Sequence, residues 1–310
     1  MTTRVLYNTL SRNSLHLLKE SIRPHLPTCE FPDFLRLPNS AFQSADKLHV
    51  PKGWHFVYFN DHSDERVLFN DGYEPVSKFP WLNGTSQRRW AGGEIKFCRP
   101  LVSDHAGQCR IEKSVELLGS KHGWKRVDEI TVRKLSNNIA ITSDVNRHVA
   151  VEETRKLVFS PLSMPSVNSK GIRVPYSAEL STTLTPTSVL AFRFSALTFN
   201  AHKIHLDPQY ASKVEFLPNI ILQGSLSLIL LMSWIQFDPH VRSTVGLDNE
   251  KEITNVAYSC IQHILLNSEI QLCISKTRSN KQGDDQWRIW IEQDGTVRFK
   301  GTIVVRQSYA

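Results

Sequence analysis

The sequence has few cysteines and no pair of them in a zinc-binding or redox motif. The five cysteines are an odd number, and no two are separated by only two residues. Structural zinc sites use closely spaced ligands, so these cysteines predict no zinc site. Scattered, unpaired cysteines are typical of free thiols in a reducing compartment. They are Cys29, Cys98, Cys109, Cys260 and Cys273.

The chain also lacks an uninterrupted apolar run that could cross a bilayer, which takes about 20 residues. Its most apolar stretch, residues 219–235, reads NIILQGSLSLILLMSWI and is interrupted by Gln223, Gly224 and three serines. Because this stretch is apolar on nearly all sides, it predicts a helix buried inside a soluble domain. We expect no transmembrane segment.

Basic clusters with interleaved aromatic residues are absent as well. The net charge is +7, and residues 1–28 contribute +3 of it, so the rest of the chain is only modestly basic. Nucleic-acid binding requires a concentrated basic surface, and we expect no such partner. Hydrophobic residues at 40% and charged residues at 22% describe a soluble globular protein of one large or two ordinary domains.

The N-terminal 28 residues contain one acid, Glu20, among arginines, serines, threonines and leucines. Their apolar residues can share part of one helical face, whereas a secretory signal would need a continuous apolar core. This composition predicts a mitochondrial presequence over residues 1–28 and a location in the mitochondrial matrix. The alternative is an ordinary amphipathic helix at the N-terminus.

The remaining chain divides into two halves. Residues 29–160 contain an aromatic stretch at 52–61, a predicted strand or helix edge, and two long alternating strands joined by a turn at Ser120–Gly123. One further strand is predicted over residues 148–159. Residues 161–175 hold three prolines, three serines and a glycine, which predicts a linker.

The second half, residues 176–310, has a clearer pattern. The run SVLAFRFSALTF at 188–199 predicts a buried strand, and residues 207–216 predict a short helix. The buried helix at 223–235 follows, then two strands beginning near Tyr258 and Ile270, and a final hairpin at 293–295. One buried helix with a long antiparallel sheet is an α+β arrangement.

The stretch SALTFNAHKIHLD places Asn200, His202 and His205 within six positions, where a buried element breaks into a loop. Reactive side chains are common in such loops. The apolar helix that begins near Gly224 exposes unpaired backbone N–H groups at its positive end. A thioester carbonyl bound there would have its enolate charge stabilised, and a histidine nearby could move the α-proton or a water. The two histidines could instead ligate a metal, with Asp207 as the one nearby third ligand.

These segments resemble a known superfamily. SALTFNAHKIHLDPQYA resembles the hotdog-superfamily motif that reads L-T-G-D-x-N-P-I-H-x-D in (R)-specific enoyl-CoA hydratases. ILQGSL resembles the helix start that carries the oxyanion hole, and RRWAGGEIKFCRPL and VAVEETRKLVF resemble a degenerate N-terminal hotdog. That last feature is typical of the group containing fungal mitochondrial 3-hydroxyacyl-thioester dehydratases and mesaconyl-CoA hydratases. The matching motif residues are Leu197, Thr198, Ile204, His205 and Asp207.

The resemblance implies an α+β double hotdog, in which two antiparallel sheets each wrap a central helix and pack as a pseudo-dimer. It implies one active site, supplied by the C-terminal half and needing no cofactor. The reaction would be dehydration of (R)-3-hydroxyacyl thioesters to trans-2-enoyl thioesters in mitochondrial fatty acid synthesis. The acyl substrate would be attached to acyl carrier protein, with CoA as a surrogate carrier. The protein itself would be a monomer or a homodimer.

Three other functions remain open on the same fold. The site could hydrate another enoyl-CoA, such as mesaconyl-CoA. It could hydrolyse acyl thioesters, although that reaction usually needs a carboxylate. It could also bind acyl thioesters without converting them.

The motif departs from the broad family in its catalytic residues. The family's catalytic Asp falls on Asn200, which cannot take a proton near neutral pH, and its Asn-Pro pair falls on His202-Lys203. We therefore expect His205 to be the principal acid/base and Asn200 to orient the water or hydroxyl. His202 is expected to be a second acid/base or to hold the shape of the site. Gly224 is the predicted oxyanion hole, Arg193 and Lys203 could meet the phosphates of the carrier arm, and no metal is expected.

Overall fold

The computed structural model describes residues 2–32, 48–60, 62–74, 86–103, 106–117, 124–134, 149–161, 177–247, 251–279 and 284–307. These residues form ten strands and five α-helices. The predicted linker, apart from Pro161 at the end of a strand, and the predicted turn at Ser120–Gly123 lie outside the described residues.

All ten strands belong to one antiparallel sheet, in the order β1-β3-β4-β5-β2-β7-β10-β9-β8-β6. The pairing of β2 with β7, from Gly92 opposite Ser259 to Lys96 opposite Asn255, joins the two halves. The strands are β1 (Thr2–Thr9), β2 (Ser86–Phe97), β3 (Ala106–Leu117), β4 (Trp124–Lys134), β5 (Val149–Pro161), β6 (Leu180–Leu184), β7 (Lys251–Cys260), β8 (Ile270–Ser279), β9 (Asp285–Gln293) and β10 (Thr296–Gln307).

The helices are α1 (Arg12–Ile22), α2 (Ser188–Leu197), α3 (Pro208–Lys213), α4 (Gly224–Phe237) and α5 (Pro239–Val245). Ten of the fourteen residues of α4 are buried, which confirms the predicted central helix. The double hotdog is confirmed, but the N-terminal half differs from the prediction in the element that packs against α4. There, within the described ranges, a 3-10 turn at Trp54–Val57 meets α4, where Trp54 Nε1 donates to Ser233 Oγ over 2.9 Å.

Two predicted elements are wrong in the second half. Residues 188–197 form helix α2 rather than a strand, because Thr187 caps the segment by accepting the Leu190 N–H. Its buried residues recur at helical spacing, and a short apolar run does not by itself distinguish a strand from a buried helix. The strand predicted to begin near Tyr258 is β7, which starts at Lys251 and ends at Cys260.

The predicted presequence forms part of the folded molecule. Strand β1 pairs with β3 along its whole length, with Arg4 and Leu6 turned toward the interior and Val5 and Tyr7 toward solvent. Helix α1 buries Leu15, Leu18 and Ile22 in the main core. No helix in the described part of the chain is both long and apolar enough to span a membrane.

Candidate active site

The loop between α2 and α3, residues 198–207, carries the predicted site residues and is called the site loop below. Its turn is fixed locally: Phe199 has φ 52°, and the Asn200 side-chain Oδ1 accepts the His202 N–H over 3.0 Å. Asp207 ends the loop by capping α3, where its Oδ1 accepts the N–H groups of Gln209 and Tyr210. Asp207 is therefore explained as a helix cap.

His205 is buried and held in one orientation. Its Nδ1 lies 2.8 Å from the backbone oxygen of Ile221, so Nδ1–H donates and Nε2 carries the lone pair. Burial lowers the pKa of His205 to about 4, although the Ile221 hydrogen bond acts in the opposite sense. The ring is therefore neutral at physiological pH, with Nε2 available as a proton acceptor.

Ile221 stands three residues before the start of α4 at Gly224, so the same bond ties His205 to the segment that leads into that helix. The first N–H groups of a helix have no acceptor within it, and in the described structure Gln223 makes no side-chain cap. A Cβ at Gly224 would lie 3.1 Å from Cys260 Sγ and 3.2 Å from Trp90 Cγ. Packing is thus already tight around the predicted oxyanion hole, and a larger side chain would displace Cys260 or Trp90 by a few tenths of an ångström.

His202 is also buried, with its ring centroid 5.5 Å from that of His205. Its Nε2 is 3.7 Å from Asp71 Oδ2 and has no hydrogen-bond partner in the part of the chain that the structure describes. Burial lowers the pKa of His202 well below its ordinary value, and His205 and Arg88 add to the effect. His202 is accordingly a second neutral imidazole in the site.

Asp71, from the N-terminal half, was not predicted as a site residue. Its backbone oxygen accepts the Lys203 N–H over 2.8 Å, and its Oδ1 accepts the Tyr73 N–H over 3.0 Å. Arg88 Nε lies 2.9 Å from Oδ2 in a buried ion pair. The sequence around Asp71 reads Asn-Asp-Gly, which predicts only a turn. It does not indicate that Asp71 lies near His202, which is 131 positions away.

A cavity of about 770 Å³ opens beside the site loop. Asn200 and Lys203 of the predicted residues lie on its wall, as does Ser225 in the first turn of α4, whereas His202 and His205 do not. Arg193 is exposed on α2 and is not part of the wall either.

Most of the wall comes from the N-terminal half, which the sequence did not predict. Five neighbouring strands contribute to it, from β2 next to the C-terminal half to β1 at the far edge. Four strand spacings make this wall about 19 Å long. The contributing side chains are Trp90, Arg155, Leu157, Arg126, Asp128, Ile111, Leu6 and Arg4.

Two arginines on this wall, the buried Arg126 and the half-buried Arg155, are already paired with carboxylates. Arg126 contacts Glu74 Oε1 over 3.0 Å and Asp128 Oδ2 over 2.9 Å. Arg155 is paired with Glu153, which also lies 3.0 Å from His55 Nε2. Burial alone would raise the pKa of Glu153, but Arg155 and His55 outweigh burial and lower it to about 2.

The described residues contain no group of three or more His, Cys, Asp and Glu side chains placed to hold a metal ion. What the site offers is a neutral histidine, an amide donor and a helix N-terminus. That set suits proton transfer next to a polarised carbonyl.

Comparison with known proteins identifies the family. A profile of the hydroxyacyl-thioester dehydratase type 2 family matches residues 53–266. The chain is 27% identical, over 322 aligned positions covering 97% of both chains, to the mitochondrial hydroxyacyl-thioester dehydratase type 2 of Schizosaccharomyces pombe. It is 30% identical over 199 positions to a mesaconyl-C(4)-CoA hydratase of Chloroflexus aurantiacus, covering 63% of this chain and 67% of that protein.

A solved structure shows the same fold. The MaoC-like dehydratase from Phytophthora capsici superposes with a TM-score of 0.62 at 14% identity, covering 99% of this chain and 96% of that one. The profile spans more than half of the present sequence and includes the site loop and the start of α4. The chain belongs to the hydroxyacyl-thioester dehydratase type 2 family.

Proposed function

We propose that this protein dehydrates (R)-3-hydroxyacyl thioesters to trans-2-enoyl thioesters, with the acyl group on acyl carrier protein and CoA as a surrogate. The observation that carries the proposal is the bond from His205 Nδ1–H to the Ile221 oxygen. It leaves Nε2 unprotonated and ties His205 to Ile221, three residues before the start of α4. Dehydration needs both an unprotonated base and a helix N-terminus, because a weakly acidic Cα proton is removed while negative charge grows on the thioester oxygen.

The helix start stabilises that charge. The substrate carbonyl accepts hydrogen bonds from the N–H groups of the first helical turn, at Gly224 and Ser225, and Ser225 lies on the cavity wall. Each such donor typically contributes about 3 kcal/mol to the transition state. The positive end of the helix dipole acts in the same direction.

His205 moves the proton. Nε2 takes the proton from Cα, the C3–O bond breaks as the C2–C3 double bond forms, and the proton passes to the leaving hydroxyl to give water. The Oδ1 atom of Asn200 is occupied by the His202 N–H, so its NH₂ group is the part that donates to the hydroxyl. Asn200 therefore orients the leaving group without changing protonation state.

The cavity supports an uncharged acyl chain. Its volume lies in the range of small-molecule pockets, and its long wall extends away from the site loop. Arg126 and Arg155 already have carboxylate partners, so neither is a ready counterion for a carboxylate on the substrate. This feature favours a simple fatty acyl chain over a dicarboxylic one.

The first test is hydration of crotonyl-CoA, the reverse reaction, followed by loss of the enoyl absorbance. We expect turnover by the wild type, and a loss of about 100-fold or more in His205→Ala, since general acid–base catalysis contributes about 10²–10⁴-fold. His240→Ala, on an exposed position of α5, is the matched control and should keep the wild-type rate. Release of free thiol without a change in enoyl absorbance would instead identify a thioester hydrolase. Binding without conversion would identify a binding protein.

Hydration of mesaconyl-CoA is the second candidate, because the Chloroflexus aurantiacus relative bears that name. Comparing kcat/KM for crotonyl-, longer trans-2-enoyl- and mesaconyl-CoA separates the two. We expect the unbranched chains to be preferred. A preference for mesaconyl-CoA would replace the fatty acyl assignment.

We further propose a mitochondrial protein of the matrix, acting in fatty acid synthesis. The names of the fungal relatives and the composition of residues 1–28 support this location. Because β1 and α1 pack into the fold, we expect the N-terminal segment to stay attached after import. Mass spectrometry of the protein purified from mitochondria tests this, and an N-terminus near residue 28 would contradict it.

The continuous sheet supports a monomer as the functional unit. The two halves already pair through β2 and β7, as two separate hotdogs would in a dimer. Light scattering on the purified protein should give the mass of one chain, 35.4 kDa. A mass of twice that value would identify a homodimer.

A further inference from the structure

Three groups outside the His205–Gly224 pair surround the site: His202, Asp71 and Arg88. Among the described residues, His202 Nε2 is a buried nitrogen without a hydrogen bond, and the nearest charged oxygen is Asp71 Oδ2 at 3.7 Å. A buried polar atom in this state normally has a functional or structural reason. For His202 Nε2, we look for the reason in the contacts that hold Asp71.

Asp71 is fixed on all sides. Its Oδ1 accepts the Tyr73 N–H, its Oδ2 faces Arg88, and its backbone oxygen accepts the Lys203 N–H. Arg88 is held in turn, because it donates to the Glu74 oxygen and stacks 4.4 Å from the Phe69 ring centroid. These contacts hold the Asp71 carboxylate in one position.

The contact between the Asp71 turn and the site loop is tight. Gly72 has φ +80°, and a Cβ there would lie 2.1 Å from the Ala201 oxygen. Ala201 stands between Asn200 and His202, so the turn from the N-terminal half presses directly on the site loop. Asp71 Oδ2 therefore faces His202 Nε2 from a turn that packs tightly against the site loop.

We propose that Asp71 is a positioning residue of this active site, which acts through His202 and takes over part of the role of the Asp that Asn200 replaces. Its Oδ2 keeps the proton of His202 on Nε2, and so leaves Nδ1 unprotonated in a ring whose centroid lies 5.5 Å from that of His205. The assignment rests on the proposed dehydratase function. It makes the N-terminal half a contributor to the chemistry as well as to the cavity.

The physical basis is control of the histidine tautomer. Which ring nitrogen carries the proton is decided by the group facing the other nitrogen. In serine proteases, an aspartate that is hydrogen-bonded to the catalytic histidine sets the tautomer of that histidine. Replacing the aspartate with asparagine leaves the geometry intact and lowers kcat about 10⁴-fold. Burial keeps His202 neutral, so its tautomer, rather than its charge, is the property that Asp71 can set.

The test uses the full chain with Asp71→Asn and His202→Asn, alone and combined. Asp71→Asn should lower kcat for crotonyl-CoA hydration about 100-fold, with KM changed less than about threefold. Because the substitution leaves Arg88 without its buried partner, it could fail to fold. His202→Asn keeps the Asp71–Arg88 pair and should show a similar loss. The double variant should be no slower than His202→Asn alone, since residues that act as a unit are not additive.

Asp294→Asn, at an exposed turn position, is the matched control and should keep the wild-type kcat. The assignment is overturned if either single variant keeps kcat within about threefold of wild type. It is equally overturned if the two losses multiply in the double variant, which is the result expected of independent structural damage.

Nitrogen-15 NMR of the histidine rings at pH 7 separates this assignment from the proposed function. The His202 signals, identified with His202→Asn, should show the Nε2–H tautomer in the wild type and a changed tautomer in Asp71→Asn. If the wild type fails to hydrate crotonyl-CoA, the dehydratase proposal fails, and the NMR result still decides whether Asp71 sets the tautomer. Identical His202 spectra in wild type and Asp71→Asn would refute the pairing.

Discussion

At the scale of single residues, burial controls the protonation of the histidines around the site loop. Burial lowers the pKa of His205 and of His263 to about 4, and it lowers the pKa of His202 well below its ordinary value. These rings are therefore neutral near pH 7 and ready to accept a proton. The same burial makes the fold sensitive to acid.

We predict that the free energy of unfolding falls as the pH drops from about 6.5 to about 4. The unfolded chain binds histidine protons near pH 6.5, whereas the folded chain binds one at His205 only near pH 4. The stability present above pH 6.5 is thus lost as protons bind the unfolded state first, by about 3 kcal/mol for His205. Urea unfolding at pH 7.5, 5.5 and 4.5 measures the effect.

Glu215 opposes this trend, because burial and the nearby Asp71 raise its pKa to about 7. Its contribution is present below its unfolded pKa near 4.5 and is lost as the pH rises through 7. The histidines outnumber it, so the net slope should follow them. His205→Gln should make the pH dependence shallower, and Glu215→Gln should make it steeper. A stability that rises toward pH 5 would contradict the prediction.

A second residue-scale prediction concerns Gly72. Gly72→Ala places a Cβ at a positive φ and against the Ala201 oxygen, so the site loop must shift. We expect a loss of unfolding free energy of roughly 1–3 kcal/mol and a lower kcat for crotonyl-CoA. Gly295→Ala is the matched control: its φ of +67° imposes the same backbone strain, but nothing lies within 4 Å of the new Cβ. Equal effects of the two substitutions would exclude the contact with Ala201 as the cause.

At the scale of elements, β1 closes the far end of the cavity. Leu6 and Arg4 line it, whereas Val5 and Tyr7 on the same strand face solvent. Because the opposite end of the wall lies near the start of α4, β1 limits how far an acyl chain can extend. Helix α1, which follows the strand in the chain, packs in the core.

We predict that Leu6→Trp lowers kcat/KM for long trans-2-enoyl-CoA substrates and leaves crotonyl-CoA unaffected. Each methylene that the larger side chain keeps in water costs about 0.8 kcal/mol of binding. Val5→Trp, on the outer face of β1, adds the same bulk and should change neither substrate. Measuring kcat/KM against chain length checks this. A uniform loss at all lengths would mean that Leu6 affects stability rather than selectivity.

At the scale of the whole molecule, the two halves contribute different parts of the proposed site. The C-terminal half provides His205, Asn200 and the start of α4. The N-terminal half provides Asp71 and the long cavity wall. The junction between β2 and β7 makes one sheet of them, so the residues that we propose for the site come from both halves.

We therefore predict that residues 176–310 expressed alone do not hydrate crotonyl-CoA. The separated half would expose the edge of β7 and the surface of α4 that meets Trp54, which favours aggregation. Co-expression with residues 1–161 should restore soluble protein and activity, measured by gel filtration and by the hydration rate. Full activity in the isolated half would show that the N-terminal half has no part in catalysis.

Much of the C-terminal half was determined by the sequence itself. The apolar run at 223–235 predicts the buried helix that is observed, and the motif is the source of His205 and Gly224 as candidate site residues. The final hairpin, β9 and β10, followed from alternation around Asp294-Gly295. For the helix and for the turn of the hairpin, the deciding interactions lie within a few residues of one another.

Tertiary structure decided the rest. The run at 188–197 is apolar enough for either a strand or a buried helix, and the Thr187 cap and packing selected the helix. Residues 1–28 have the composition of a presequence, yet β3 and the core give them partners that composition cannot reveal. Asp71 reaches His202 only because the β2–β7 junction and the Gly72 turn bring distant segments together. Local patterns encode local elements, whereas a carboxylate from the other half of the chain is positioned by the packed fold alone.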